Sequence, residues 1–417
     1  SGLLVSSSSS TTGDSLQGGA IMPTDLTTFR AETRDWLADN CPTGARGPGF
    51  IPWGSQKIDL EPDTALWLAR MADKGWTVPT WPSEYGGASA SREEYMVIQQ
   101  EMRRIDARPA LTGRGINYIG PTVLEFGTDA QKAKWLPRMA RGEGGWCMGY
   151  SEPAAGSDLA NLQMRCVDTG DEWRLNGMKI WTSDGMQGDW IFCLVRTAPD
   201  KPKHDGISLV LVNMDQPGVR VRPIQLISGD SPFAETFFDD ASAAKDDLIG
   251  PINQGWNVGK RLLQYERSVH GGVNTSGAQV DSKTQSLADI ARQYMGTSAD
   301  GKRLGDSQFR QRLTTLEMNA RAYALTQRRV LAETQNSAPS LATSILKVKG
   351  AEFTKERADV LQQAMGSRGF GWEATGFTGD EIKANRDWLS TRAVSIYGGT
   401  SEIQKNIIAK RVLGLPD

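Results

Sequence analysis

Two stretches decide how this chain is read: Trp146-Cys-Met-Gly-Tyr-Ser-Glu-Pro-Ala-Ala-Gly-Ser-Asp158 and Asn176-Gly-Met-Lys-Ile-Trp-Thr-Ser-Asp184. The first begins as a short apolar strand and opens into a polar loop of small residues. Gly156, Ser157 and Asp158 leave backbone N–H groups and a hydroxyl available to a phosphate or a ring carbonyl. The second sets Trp181 beside the hydroxyls of Thr182 and Ser183. An aromatic cover flanked by short hydrogen-bonding groups suits a flat cofactor with polar edges. The same residues also fit two ordinary strand-and-loop segments of a β domain, so the surrounding chain must decide.

Outward from this stretch the pattern stays β. Segments 146–150, 163–168, 172–182, 189–197, 207–213, 218–224 and 234–239 are short, β-branched or aromatic, and separated by turn residues. Asp168-Thr-Gly-Asp171 and Asp215-Gln-Pro-Gly218 are hairpin-type turns. Strands at this spacing without intervening helices predict an antiparallel sandwich or barrel. Upstream the periodicity is helical: Leu26–Asn40, Leu60–Lys74, Ser91 to about Arg108, Ile116–Phe126 and Asp129–Arg141. Ser91 with Glu94 forms a capping-box pattern. Gly127-Thr-Asp stops one helix and starts the next. Gly75 to Gly87, with two prolines, reads as an ordered turn. From Gly255 onward the pattern is helical again. Leu313, Leu316, Ala320 and Tyr323 recur at helical spacing, as do Leu341, Ile345 and Val348, which predicts an antiparallel bundle.

The expected class is therefore α+β: an N-terminal helical domain (22–145), a central antiparallel β domain (146–250) and a C-terminal antiparallel helical bundle (251–417). Residues 1–21, with the serine run Ser6–Ser10, read as a disordered or appended leader, with a native start at Met22.

Composition narrows the function classes. A net charge of −2 gives no basic footprint for nucleic acid. No apolar run approaches the roughly 20 residues of a membrane span. Four cysteines without CxxC spacing suggest a reducing, cytoplasmic setting. Two histidines, His204 and His270, make a histidine-rich metal site an unsuitable reading, and no metal is expected. Gly296-Thr-Ser-Ala-Asp-Gly-Lys302 begins like a phosphate loop but continues with Arg303 and follows no strand, so it reads as a helix-to-helix loop. No GxGxxG follows a strand, and no GxSxG elbow exists.

Five stretches in order resemble the acyl-CoA dehydrogenase family, from about residue 25 to Pro416. They are Gly75-Trp…Pro82-Ser-Glu-Tyr-Gly-Gly87, Gly127-Thr…Gln131-Lys…Leu136-Pro, Tyr150-Ser-Glu-Pro-Ala-Ala-Gly-Ser-Asp158, Lys179-Ile-Trp-Thr-Ser, and Ile396-Tyr-Gly-Gly-Thr-Ser-Glu-Ile-Gln404. The resemblance implies the same helix–sheet–helix order and FAD bound between the β domain and the bundle. It implies that Tyr150 and Ser151 lie at the flavin pyrimidine edge, that Trp181 flanks the isoalloxazine, and that Ser183 lies near N5. Ser157 would serve the phosphate end of the ligands. Gln363 and Gly366 would reach a neighbouring subunit's FAD, and Thr400 and Glu402 would meet an adenosine half.

The implied reaction removes an α-proton from an acyl-CoA and passes the β-hydrogen to flavin N5, giving a trans-2,3-enoyl-CoA. Electrons would go on to an electron-transfer flavoprotein. A carboxylate in a dry pocket must act as base. Much of the family carries Glu just before the Gly-Thr of its C-terminal motif, where this chain has Gly398. The isovaleryl-CoA dehydrogenase branch places its Glu on the first bundle helix, before an Arg. Tyr265-Glu-Arg267 offers that arrangement, making Glu266 the expected base and Arg267 a substrate-side or structural neighbour.

Gly398 also leaves room for a branched, cyclic or otherwise bulky acyl group. The family's Arg-x-x-Phe-Gly motif is not intact near 303–312, where Lys302, Arg303 and Arg310 are candidate substitutes, and Ser367 replaces a glycine after Gly366. These departures suit a divergent homotetramer or a mixed tetramer with a homologous subunit. The alternatives on this fold are a flavin oxidase or monooxygenase, or a partner subunit without a base.

Overall fold

A computed structural model of the chain describes residues 25–270, 286–333 and 342–416. The expected leader (1–21) and Leu341 lie outside the described residues. Five helices come first: α1 (Leu26–Asn40), α2 (Pro62–Asp73), α3 (Arg92–Arg104), α4 (Gly120–Phe126) and α5 (Asp129–Ala140). Eight strands follow: β1 (Trp146–Gly149), β2 (Arg165–Asp168), β3 (Glu172–Ser183), β4 (Trp190–Arg196), β5 (Ile207–Asn213), β6 (Val219–Ile224), β7 (Phe233–Ala244) and β8 (Leu248–Ile249). Then come α6 (Gly255–His270), α7 (Leu287–Met295), α8 (Ser307–Glu333), α9 (Thr343–Met365), α10 (Gly379–Ser390) and α11 (Ser401–Ile407). The helix–sheet–helix order is the expected one.

The caps explain where the first helices start. Ser91 Oγ accepts from Glu94 N (3.1 Å) while Glu94 Oε2 accepts from Ser91 N (2.7 Å), so two otherwise orphaned donors are satisfied at the head of α3. Thr128 and Gln131 repeat the device at α5 (3.2 and 2.9 Å). The Gln131 side-chain amide also donates to the backbone carbonyls of Asp246 and Leu248 (2.7 Å each), which ties α5 to the end of the sheet.

The strands run in the order β6-β7-β3-β2-β4-β5-β8, with β1 paired to β4. The β1–β4 pair is parallel, as is a single β2–β4 bridge, and the remaining ladders are antiparallel. This differs from an all-antiparallel sheet. The chain leaves β1 for a loop and the β2–β3 hairpin before returning to β4, and a parallel pair needs such a crossover.

β4 is buried along nearly its whole length because both its faces are covered. Ile191, Cys193 and Val195 point into a cluster with Cys147, Val210, Val212 and Phe238 inside the β layer. Phe192 and Leu194 point the other way, into a cluster with Trp135, Ile119, Val258 and Leu262 from the helices. Alternation at period two therefore feeds two cores from one strand. The second core seats α6, the helix carrying Glu266, against the sheet.

Two register shifts interrupt the long β3–β7 ladder, between Leu175 and Gly177 and between Lys179 and Thr182. They let β7 run to twelve residues, twice the length of the 234–239 segment expected from sequence. The second shift lies at the decisive stretch.

Candidate active site

The bulge at Ile180–Trp181 builds the first half of the site. Trp181 has φ +61, a left-handed conformation unusual for a large side chain. Its neighbours Lys179 and Thr182 are fully buried, yet Trp181 is 52% exposed. The indole stands edge-on to Phe233 at 6.0 Å. Thr182 is spent on the sheet, accepting from Thr236 Oγ1 (3.1 Å). Ser183 stays partly exposed beside Trp181. Ile180 N donates to Ser151 O (2.9 Å), so the loop after β1 lies against the same end of β3. Ser151, Trp181 and Ser183 are thus brought together.

A buried ion pair fixes that loop. Lys179 Nζ donates to Glu152 Oε1 (2.8 Å) and to Tyr150 O (3.2 Å) with no solvent exposure. The Glu152 carboxylate also accepts from Gln163 N (2.7 Å) and Met164 N (3.0 Å). Both charges are therefore paired and hydrogen-bonded, the condition for tolerating them in an apolar interior. Ser157, by contrast, lies exposed near the loop's far end, beside the Asp158–Lys203 ion pair (2.8 Å).

The second half of the site surrounds Glu266. Its side chain is buried, 6% exposed, on α6. Two phenols feel its charge. Burial and then the Glu266 carboxylate raise the pKa of Tyr118 and of Tyr150 far above the usual phenol range. The Tyr150 hydroxyl is buried without a hydrogen-bond partner among the described residues. Tyr118 comes from a π-helical turn, Gly115–Ile119, immediately before α4. Such turns commonly mark functional sites. From α9, Lys347 approaches the same carboxylate: burial lowers its pKa, and the Glu266 charge opposes that shift.

The C-terminal motif comes close to the same carboxylate. Gly398 and Gly399 have φ +63 and +85, which favours glycine at both positions. A Cβ on Gly398 would lie 3.9 Å from Glu266 Oε1 and 3.2 Å from Lys347 Cε. The Glu266 carboxylate, arriving from α6, therefore lies close to the position that carries no side chain at Gly398. Gly398→Ala is expected to cost roughly 1–3 kcal/mol, from left-handed strain and the tight Lys347 contact. A fall in the urea midpoint without change in the slope would register it.

The remaining expected residues lie elsewhere. Thr400 caps α11 through its hydroxyl, which accepts from Ile403 N (3.2 Å), and Glu402 is exposed in the first turn. Gln363 lies near the far end of α9, about 24 Å along the helix from Lys347 at 1.5 Å per residue, and Gly366 follows just after the helix ends. The structure therefore does not bring them to Glu266 within this chain. Gln363 Oε1 instead accepts from Arg312 Nη1. Arg312 is not among the residues expected as substitutes for the broken motif. Of those, Arg310 donates to Leu304 O (2.9 Å), while Lys302 and Arg303 are exposed in the α7–α8 loop. Arg267 continues α6, but its side chain, like that of His270, lies outside the described residues. No cluster of metal-binding side chains occurs among the described residues.

Sequence reading missed Tyr118 and Lys347. Each carried a faint signal. Tyr118 sits just ahead of Gly120-Pro121 inside a helical run, and Lys347 interrupts the apolar set Ile345, Leu346 and Val348.

Comparison with known proteins agrees with this architecture. Models of the acyl-CoA dehydrogenase N-terminal, middle and C-terminal domains match residues 24–143, 147–241 and 253–413. The acyl-CoA dehydrogenase IpdE1 of Mycobacterium tuberculosis is 36% identical over 403 residues, covering 94% of this chain and 98% of the relative. Among solved structures, the Tcur3481-Tcur3483 steroid ACAD aligns with TM-score 0.70 at 26% identity, over 95% of this chain and 98% of that one. The ChsE4-ChsE5 complex from Mycobacterium tuberculosis aligns with TM-score 0.69 at 27% identity, over 95% of this chain and all of that one. The chain belongs to the acyl-CoA dehydrogenase family and is an acyl-CoA dehydrogenase oxidoreductase.

Proposed function

We propose that this chain is an FAD-dependent dehydrogenase of CoA thioesters in which Glu266 removes the substrate α-proton. The observation carrying this reading is the buried Glu266 carboxylate beside the space left open at Gly398. A base on α6 then needs no carboxylate in the C-terminal motif.

The residues present suit FAD. Trp181, held outward by a bulge, offers a flat aromatic face, and Ser151 and Ser183 offer short polar groups beside it. Tyr150 links the two halves: its carbonyl accepts from Lys179 of β3 and its phenol feels the Glu266 charge. Bound there, FAD would supply the two-electron acceptor for the β-hydrogen. Ser157 is assigned to the phosphate end of the ligands, and Thr400 and Glu402 to an adenosine half. The protein's own work is positional and acid–base. Glu266 takes the α-proton at its carboxylate oxygen. Tyr118 and Tyr150, kept as neutral phenols, exclude water from it, and desolvation raises the basicity of a carboxylate in such a pocket.

The acyl group is proposed to be bulky and ring-bearing, of steroid type. Gly398 adds no side chain beside Glu266, and the structural relative cited above is named a steroid ACAD. Electrons are proposed to leave to an electron-transfer flavoprotein.

The working form is proposed as a tetramer, of one chain or of two homologous ones. Met318, Leu325, Phe370, Ile396 and Leu413 of the C-terminal region are large apolar side chains left exposed, of the kind another subunit would cover. Gln363 and Gly366, remote from Glu266 in this chain, are then available to a neighbour's cofactor. No helix among the described residues is long and apolar enough to cross a membrane.

The test is anaerobic mixing of the purified yellow protein with straight-chain, branched and steroid-side-chain CoA thioesters. Bleaching of the flavin absorbance by the ring-bearing esters is the expected result. Turnover of straight-chain esters alone would overturn the substrate assignment, and a colourless protein with no bleaching would overturn the enzymatic one.

A further inference from the structure

We propose that Lys347 is a positioning residue for Glu266, its ammonium packing against the space vacated at Gly398 and holding the carboxylate ionised. This rests on the reading of Glu266 as the base.

Three contacts place Lys347. Its Nζ donates to Val394 O, in the short helical turn leading into the C-terminal motif. The same atom lies 4.8 Å from the centroid of the Tyr397 ring. A single point, the Cβ position of Gly398, is 3.8 Å from Nζ and 3.9 Å from Glu266 Oε1. One side chain therefore ties α9 to the Val394–Gly398 segment and presents a positive charge toward the base. Any side chain at 398 would have to share that volume with the lysine stem.

The groups around Glu266 give that charge its importance. The π-helical turn brings Tyr118, with Arg114 acting on it in turn, and the loop after β1 brings Tyr150. The C-terminal segment brings Tyr397 to the lysine, whose Nζ lies over its ring. On its own helix, Arg261 and Tyr265 are both engaged with Glu125 Oε2 (2.7 Å each). Tyr118 and Tyr150, as neutral phenols, do little to keep a buried carboxylate charged, whereas a lysine several ångströms away favours the charged form. Removing that cation raises the Glu266 pKa. At such a separation and an effective dielectric of about 20, the shift is on the order of one to two pH units.

The geometry also explains why the lysine does not overwhelm the base. Its hydrogen bond goes to a carbonyl and its charge is shared with an aromatic ring. A direct ion pair with Glu266 would instead hold the carboxylate too weakly basic to take a carbon-bound proton.

The test compares Lys347→Gln, Lys347→Met and Lys347→Arg with wild type and Glu266→Gln. Infrared difference titration of the cofactor-loaded proteins reads the protonated-carboxyl band that disappears in Glu266→Gln. This requires no turnover. Its midpoint is expected one to two pH units higher in Lys347→Gln and Lys347→Met, and near wild type in Lys347→Arg. Lys347→Gln keeps a donor for Val394 O, so a charge effect separates from loss of the tether. The acid limb of the flavin-bleaching rate should move to higher pH by the same amount. An unshifted midpoint in Lys347→Gln with native-like thermal unfolding would overturn the proposal. A shifted midpoint accompanied by bleaching that survives Glu266→Gln would reject Glu266 as base while leaving its coupling to Lys347 established.

Discussion

Glu266→Gln is expected to reduce the rate of flavin bleaching by acyl-CoA at least 100-fold and up to about 10,000-fold, the range typical of a lost general base. The cofactor should stay bound. Gln is nearly isosteric with Glu, and position 266 is on the same α6 face as the core residues Val258 and Leu262, so the packing of the helix is kept. The visible spectrum of the variant should therefore match wild type, and substrate binding, followed by the spectral perturbation on adding acyl-CoA, should change by much less than the rate. Bleaching at the wild-type rate would remove Glu266 from the role. Loss of colour would mean that the residue supports the cofactor rather than the chemistry.

Lys179→Met should be the most destabilising single change near the site. It leaves the Glu152 carboxylate buried, 9% exposed, with backbone donors but without its cation. Breaking a buried pair from one side costs roughly 3–5 kcal/mol, because an uncompensated charge remains. Glu152→Leu alone should be comparably harmful, since it strands an ammonium that burial already disfavours. The double variant Lys179→Met/Glu152→Leu should recover much of the loss, and the double-mutant cycle measures the coupling. Cofactor retention should fall along with stability. Lys179 also binds Tyr150 O, and Ser151 is held to Ile180 next to it, so the ion pair orients the whole edge. Purely additive effects of the two substitutions would contradict this account.

The helix–sheet–helix order was legible because it depends on local periodicity and caps. The capping box read at Ser91 is present, and the Gly127-Thr-Asp signal falls where α4 stops and α5 starts. Every strand segment read from β-branched and aromatic runs is a strand, and the Gly296–Lys302 run is the expected loop. The parallel β1–β4 pairing was not legible, since alternation identifies a strand without naming its partner. Nor was the full length of β7, because bulges allow pairing to continue through Asp239 and Asp240, which look like a strand's end.

By itself the sequence determined the fold class, the family, and the two stretches proposed as the cofactor edge, because each is written in contiguous residues. Its resemblance also turned the expectation of a base from Gly398 to Glu266. Only the tertiary structure decided what surrounds Glu266. Tyr118, Tyr150, Lys347 and Gly398 come from four separate elements, and burial and charge act through space rather than along the chain. The same holds for Trp181. Its identity marked it as a cover for a flat ligand, but the bulge that turns it outward exists only once β3 is paired with β7.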